Sequence, residues 1–431
     1  MSEKWYKLDN AAKIFPAISH NDSSNYFRLS AVLKEEVKPE LLKEAVHTAL
    51  TRFPMYSVRL KRGIFWYYFE HNDLQPLIRV ESPQLFDTIN TDEHNKFMFC
   101  IEYSKRRISL EMFHALSDGN GGIEFFKTII FYYLQLDNKE VINDGSIMTT
   151  EYEQLSDEGQ DSFVYNYNAK IKTISKEVKA YKIKGTKYQD NWVGVIHVMM
   201  DIKSLKEIVN KLQVTVTEYL GSVLLYEILK TYDDPKKRPI TLFTPVNARK
   251  YFGSKSLRNF MLYIRTSLQM NQNQDYTFDD VLNITKKSFE ENLTKDHLTS
   301  RLVSNVKIEK NFFIRILPLF IKKIALNLSY KSYGSDLNTI SFSNLGIIKV
   351  PNDFYKYVDN MYFMIGANSD GPTNLSASTY NDKITLTFTS RIFERTLQKN
   401  FVRHLVNDGL QITVQSNDLE VDSWNIVINV T

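Results

Sequence analysis

A strand followed by an amphipathic helix occurs twice along this chain, in the same order, and that repetition limits the fold more than any other feature. Residues Tyr26 to Leu33 (YFRLSAVL) alternate as a strand, and Lys38 to Phe53 then places Leu42, Val46, Leu50 and Phe53 at helical spacing, with Pro39 near the helix start. Val193 to Met200 (VGVIHVMM) reads as a second strand, and Leu205, Ile208, Val209 and Leu212 share one face of the helix that follows. The helices echo each other, LKEAV at Leu42 to Val46 and LKEIV at Leu205 to Val209, and a strand is expected after each, in MYSVRL and PITLFTPV. Leu, Lys and Glu are common helix formers, so the echo gains weight only from the shared element order. Together they predict an α/β (α+β) chain of two related lobes, residues 1–150 and 189–431, joined by a crossover segment at 151–188.

At 431 residues, 43% of them hydrophobic, with 27 Phe and 25 Tyr, the chain can bury a large core, which excludes disordered and collagen-like structure. Lys and Arg number 54 against 50 Asp and Glu, a net charge of +4, where a nucleic-acid binder would concentrate a basic patch; no nucleic-acid partner is expected. The single cysteine, Cys100, can form no internal disulfide and is expected to be a buried small hydrophobe. With no leader-like apolar stretch at the N-terminus, a reducing, cytoplasmic setting is expected.

Two further segments carry alternatives. Phe312 to Tyr330 (FFIRILPLFIKKIALNLSY) is the most apolar stretch, but Arg315, Pro318, Lys322 and Lys323 interrupt it, so no transmembrane span is expected. Core packing is the first reading for it; the wall of a site for an apolar acceptor, or contact with a membrane surface, are the others. Asn168 to Lys187 carries Lys170, Lys172, Lys176, Lys179, Lys182, Lys184 and Lys187, which suits a solvated linker, or alternatively a dock for phosphates or an acidic carrier protein.

The chemistry concentrates in one run. Strands are expected at Phe97 to Tyr103 and Ile108 to Phe113, around the turn Ser104 to Arg107, and the second ends directly in His114. There follow Ala115, Leu116, Ser117, Asp118, Gly119, Asn120, Gly121 and Gly122, and then Ile123, Phe126, Ile130 and Leu134 at helical spacing. A chance His-x-x-x-Asp-Gly match in a chain of this composition is expected about 0.02 times. The glycines suggest a loop able to take φ > 0 or to let another backbone or a ligand approach closely. Imidazole, with an ordinary pKa of about 6.5, suits a general base at neutral pH. Ser117 is poorly placed for a triad and no G-x-S-x-G elbow occurs, so covalent serine catalysis has no support. Asp118 is expected to hold the loop, which requires a cation; Arg249, at the end of TPVNAR after a strand, is the candidate for a bidentate pair.

The HALSDG run, His114 to Gly119, resembles the HxxxDG signature of the CoA-dependent acyltransferase superfamily, which groups chloramphenicol acetyltransferases, plant BAHD acyltransferases and peptide-synthetase condensation domains. The chain looks most like stand-alone bacterial alcohol acetyltransferases, through WYKLD (Trp5 to Asp9), RFPMYSVRLKRGIFWYY (Arg52 to Tyr68), TPVNAR (Thr244 to Arg249) and SNLG (Ser343 to Gly346). The resemblance implies two chloramphenicol-acetyltransferase-like lobes forming a pseudodimer, with an active-site tunnel at their interface. It implies His114 as general base, Asp118 as the partner of Arg249, and Gly119 leaving room for an acyl thioester. Asn344 or Ser343, on a strand crossing between the lobes, would line the channel and donate to the oxyanion. Acyl-CoA is then the co-substrate, with no tightly bound cofactor, and the acceptor a small or lipid-like alcohol. The DFGWG run of the plant branch is missing, and Phe113 stands where condensation domains carry a second histidine.

Two rivals remain: an amide-forming transferase fed by phosphopantetheine on a carrier protein, and a silent binding scaffold of the same fold. No metal is expected, because no H-E-x-x-H occurs, and the glycines lack the P-loop and dinucleotide spacings. Since both lobes lie in one chain, a monomer is expected.

Overall fold

The computed structural model describes residues 5–19, 25–86, 94–173, 177–189, 192–270, 275–417 and 428–430. In the first lobe, the strand Tyr26–Leu33 and the helix Pro39–Arg52 form where the sequence places them. The five-stranded sheet runs in the order Val358–Ile365, Tyr26–Leu33, Arg107–Phe113, Phe99–Ser104, Ile78–Val80. Alternation splits its faces. Phe27, Leu29 and Ala31 join one buried core with Leu42, Val46 and Ala49 of the Pro39 helix and Phe126 and Ile130 of the helix Gly119–Leu136. The expected strand MYSVRL starts late: Pro54 to Tyr56 form a 3₁₀ turn and the strand is Val58–Arg62, which joins Trp5–Lys7 and Tyr67–His71 in a small third sheet.

The opposite face of the first sheet buries charge. Arg28, 1% exposed, donates from Nη1 to Glu102 at 2.7 Å and to Glu111 at 2.8 Å, and from Nη2 to Glu81. Arg107 and Arg79 flank it, bonding Glu81 at 3.0 Å and Glu102 at 2.8 Å. Cys100 is buried in this sheet, and burial pushes its thiol up to about 12.

In the second lobe, an eight-stranded sheet runs Met261–Leu268, Ile240–Asn247, Ile340–Ile347, Thr373–Tyr380, Lys383–Ser390, Gly194–Asp201, Ile412–Ser416, Ile428–Val430. Leu375, Ala377, Leu386 and Phe388 face helices, sharing a core with Val223 and Leu224 of Val216–Leu229 and Phe401 of Thr396–Asn407. The other face is a buried row of small polar side chains, Ser376, Ser378, Thr385, Thr387 and Thr389.

That row meets the strand which crosses between the lobes. Val358–Ile365 follows the second-lobe strand Ile340–Ile347 in sequence, yet pairs antiparallel with Tyr26–Leu33 and completes the first sheet. Phe363 N donates to Ser378 Oγ at 3.2 Å, while Ser376 Oγ donates to Phe363 O at 2.9 Å and Thr389 Oγ1 to Ile365 O at 2.7 Å. Hydroxyls thus satisfy an edge backbone that apolar residues would leave unpaired. The SNLG run, expected on the crossing strand, lies instead on Ile340–Ile347, which stays inside the second sheet, parallel to both neighbours.

Two other expectations change. Two lysines of the crossover fasten it to the second lobe: Lys182 donates to the carbonyls of Asn338 at 2.8 Å and Asp370 at 2.9 Å, and Lys179 pairs with Asp336 at 2.8 Å. Carbonyls that end strands and turns take the Lys182 ammonium and a carboxylate takes that of Lys179, while Lys170, Lys172, Lys184 and Lys187 stay exposed; Lys176 lies outside the described residues. Phe312 to Tyr330 does not pack into the core: it forms the helices Phe312–Ile316 and Leu319–Tyr333, broken at Pro318, with most of its large apolar side chains exposed. No helix among the described residues is long and apolar enough to cross a membrane.

Replacing Arg28 by Met leaves the buried Glu111 without a cation, and leaves Glu81 and Glu102 only their bonds to Arg107 and Arg79. The loss expected is about 3–5 kcal/mol, read as a lowered midpoint of urea or thermal unfolding.

Candidate active site

His114 leaves the end of the strand Arg107–Phe113, and its N–H donates to Asn25 O at 3.0 Å. The ring is half-buried between two aromatics: Phe15 stacks on it, centroids 5.0 Å apart and 17° between planes, and Phe27 is tilted at 5.0 Å. Nδ1 is buried without a hydrogen-bond partner. Burial holds the imidazole below its ordinary 6.5, with Asp118 and Asn259 pulling weakly the other way.

The glycine run is not the loop expected. The helix begins at Gly119, ahead of the apolar pattern that starts at Ile123, because Asp118 caps it: its Oδ1 accepts from Asn120 N and Gly121 N, each at 3.1 Å. None of the three glycines takes a positive φ. Two of them supply space instead. A Cβ on Gly121 would stand 2.0 Å from Leu257 O and 2.2 Å from Ser117 Oγ, and one on Gly122 would stand 2.7 Å from the Phe27 ring. A Cβ on Gly119 would meet only the Phe363 ring at 3.3 Å and Leu345 at 3.4 Å, across the seam between lobes.

Second-lobe residues close around this corner. Arg249, after the strand Ile240–Asn247, grips Asp118 with both terminal nitrogens, Nη1 to Oδ2 at 2.9 Å and Nη2 to Oδ1 at 3.0 Å. Phe260 N adds a bond to Oδ2 at 2.8 Å, so the carboxylate accepts five hydrogen bonds, two from its own helix and three from the other lobe. Arg249 Nε is itself held by Ser256 O at 2.6 Å. Leu257 O accepts from Ser117 Oγ at 2.6 Å and Tyr56 OH at 2.9 Å. Ser117, fully buried, is thereby a tie between lobes rather than a nucleophile. Asn259 donates to His114 O at 2.8 Å and to Asp9 Oδ2 at 3.2 Å, and Asn247 donates to Asn120 Oδ1 at 2.9 Å. Burial pushes the Asp9 carboxyl up to about 6, against the neighbouring Arg258 guanidinium.

The structure therefore brings His114, Asp118, Gly119 and Arg249 together. Asn344 and Ser343 separate by strand alternation. Asn344 donates to Thr217 Oγ1 at 3.0 Å and accepts from Gly346 N at 2.9 Å, which places it on the face of the second lobe's own helix. Ser343 shares the opposite face with Leu345, the residue that reaches Gly119. Beside the helix start, a cavity of about 280 Å³ is lined by Asn120, Ile123, Lys127, Leu345, Ile348 and Lys349 among others.

Sequence reasoning missed Asp9, Asn259, Leu257 and the two rings on His114. Asp9 and Tyr56 do lie inside the WYKLD and RFPMY runs; Leu257 and Asn259 act largely through backbone and amide contacts that no motif marks.

No protein-family model matches the sequence, and no curated protein matches it. Solved structures do. TRI101 of Fusarium sporotrichioides, solved with coenzyme A and T-2, superposes with a TM-score of 0.63 at 11% identity, over 95% of this chain and 99% of its own. Polyketide synthase associated protein 5 from Mycobacterium tuberculosis gives 0.61 at 11% identity, over 93% and 96%. The TRI3 trichothecene 15-O-acetyltransferase from F. sporotrichioides gives 0.59 at 12% identity, over 94% and 95%. This likeness covers nearly the whole chain and establishes the fold, two chloramphenicol-acetyltransferase-like lobes packed on each other.

Gly121→Ala is expected to force Leu257 away and cost about 2–3 kcal/mol. Gly119→Ala, whose nearest neighbours are side-chain atoms of Phe363 and Leu345 at 3.3 and 3.4 Å rather than a backbone carbonyl, is expected to cost less, about 1 kcal/mol. Thermal melts of the two variants in parallel check this contrast.

Proposed function

We propose that this protein is an acyltransferase, moving an acyl group from coenzyme A to a hydroxyl by direct attack, with His114 as the general base. The observation that carries the reading is the state of His114: Nδ1 buried, the ring held between two aromatics beside the Asp118–Arg249 pair, and burial keeping it neutral at pH 7. A base held neutral and oriented needs no further activation to accept a proton. The solved likenesses, two of them described in terms of coenzyme A or acetyl transfer, support the same reading.

In this mechanism the acceptor oxygen attacks the thioester carbonyl while its proton passes to His114 Nε2. The tetrahedral oxyanion collapses, the C–S bond breaks, and the leaving thiolate takes the proton back from His114, so the base is regenerated and no acyl-enzyme forms. The thioester is assigned to the corner between His114 and Gly119, where the Phe363 ring and the Leu345 side chain stand 3.3 and 3.4 Å from the place of a Gly119 Cβ and must shift to admit it. Of the two residues suggested for the oxyanion, Ser343 is assigned the donor role, since its face turns to the seam while the Asn344 amide is engaged at both ends. The cavity running from Asn120 to the exposed cation Lys349 is assigned to the donor, whose phosphates need a positive group. The acyl chain and the acceptor are left to assay.

Thiol release from acetyl-CoA and longer acyl-CoAs against a panel of alcohols and amines tests the reading. His114→Ala is expected to lower turnover by at least about 100-fold with little change in unfolding midpoint; full turnover in that variant would remove the mechanism. Release only with amines, or only from a carrier-bound thioester, would instead select the amide-forming rival.

The pH profile follows from the burial of His114. Its pKa lies below 6.5, and only the neutral form accepts a proton, so kcat/KM is expected to be flat near pH 7 and above. It should fall with a single-proton slope as pH drops through a midpoint below 6.5. A midpoint above 6.5 would contradict a desolvated base.

A further inference from the structure

The helix Leu319–Tyr333 is turned inside out. Lys322 is 1% exposed, its ammonium donating to Phe65 O at 2.9 Å and lying 3.8 Å above the Trp66 ring, while Phe320, Ile324 and Leu328, four residues apart on one stripe, stand more than half exposed. Phe313, 74% exposed, adds a further apolar side chain on the preceding short helix. The hairpin between the strands Val58–Arg62 and Tyr67–His71 adds Ile64 and Phe65, and is joined to the helix by Leu319 N donating to Ile64 O at 2.8 Å. The buried lysine fastens this apolar face; it is not a loose end.

Cations accompany it without anions. From Lys310 to Lys331 the chain carries Lys310, Arg315, Lys322, Lys323 and Lys331 and no Asp or Glu. Arg315, Lys323 and Lys331 are exposed beside the apolar stripe, and Arg62 is exposed on the hairpin. The nearest acidic residue before this stretch, Glu309, is taken by Lys13 and by Asn10 at 2.6 Å.

We propose that this face docks on an anionic lipid bilayer, lying in the interface with its aromatic and aliphatic side chains among the acyl chains and its cations among the headgroups. Amphipathic helices with basic flanks and exposed Phe and Leu bind in this way. A second copy of the chain fits less well, because a two-fold contact through this face would set its own cations against each other. The helix also packs on the short helix Phe15–Ile18, with Asn327 donating to Ala17 O at 2.7 Å, and Phe15 is the ring stacked on His114. Two helices, Leu319–Tyr333 and Phe15–Ile18, therefore lie between the docked bilayer and the His114 ring.

The test is flotation of the full-length protein with phosphatidylcholine vesicles, with and without about 30 mol% phosphatidylglycerol. Wild type is expected to float with the anionic vesicles, less as salt rises, and F320S/I324S and R315E/K323E are each expected to float about tenfold less or worse. All these side chains are exposed, so both variants should melt like wild type, which is checked in parallel. Absence of flotation, equal flotation on neutral vesicles, or indifference to both variants would overturn the proposal. So would a dimer in sedimentation velocity that F320S/I324S dissolves, since the face would then belong to a second copy. None of these readouts depends on the transferase reading.

Discussion

The Asp118–Arg249 pair is the interaction on which the site depends. One carboxylate, 1% exposed, caps the helix Gly119–Leu136 in the first lobe and accepts a bidentate guanidinium and a backbone N–H from the second. A buried carboxylate is tolerable only when its lone pairs are filled, and five hydrogen bonds fill them. Satisfying Asp118 therefore requires the second lobe to stand in one place. That same placement brings Leu257 over Ser117 and Asn259 under the His114 carbonyl. The position of His114 is thus set by a charge that makes no hydrogen bond to it.

Around this corner the two lobes exchange roles. The second sheet offers Ser and Thr to a strand that belongs, by its pairing, to the first sheet. Apolar residues would pack such a seam but leave the edge backbone unsatisfied; hydroxyls do both at small volume. The glycines at the helix start serve the same closeness, since a single methyl at Gly121 would collide with the Leu257 carbonyl. Close approach between lobes, rather than backbone flexibility, is what the glycine-rich run provides.

Much of this was legible in the sequence, because periodicity reports local structure well. The strand Tyr26–Leu33 and the helix starting at Ile202 lie where alternation and helical spacing place them. The chloramphenicol-acetyltransferase-like fold implied by HALSDG is the fold observed. What periodicity cannot report is which neighbour a segment meets. Asp118 as a cap moved the helix start ahead of its apolar pattern; Lys182 of the crossover found carbonyls that no local signal marks. Phe312 to Tyr330 reads as core by composition, yet the Lys322 contact with Trp66 turns its apolar side outward. Asn344 and Ser343, adjacent in sequence, were separable only once the strand's faces were known.

The most direct test of this account is a double-mutant cycle on turnover, comparing Asp118→Asn, Arg249→Met and the two together in the thiol-release assay. If the pair acts as one device positioning His114, each single variant lowers turnover by about tenfold or more, and the double variant falls no further than the worse single. Losses that multiply in the double variant, or a single variant with wild-type turnover, would show that the base is held by something else.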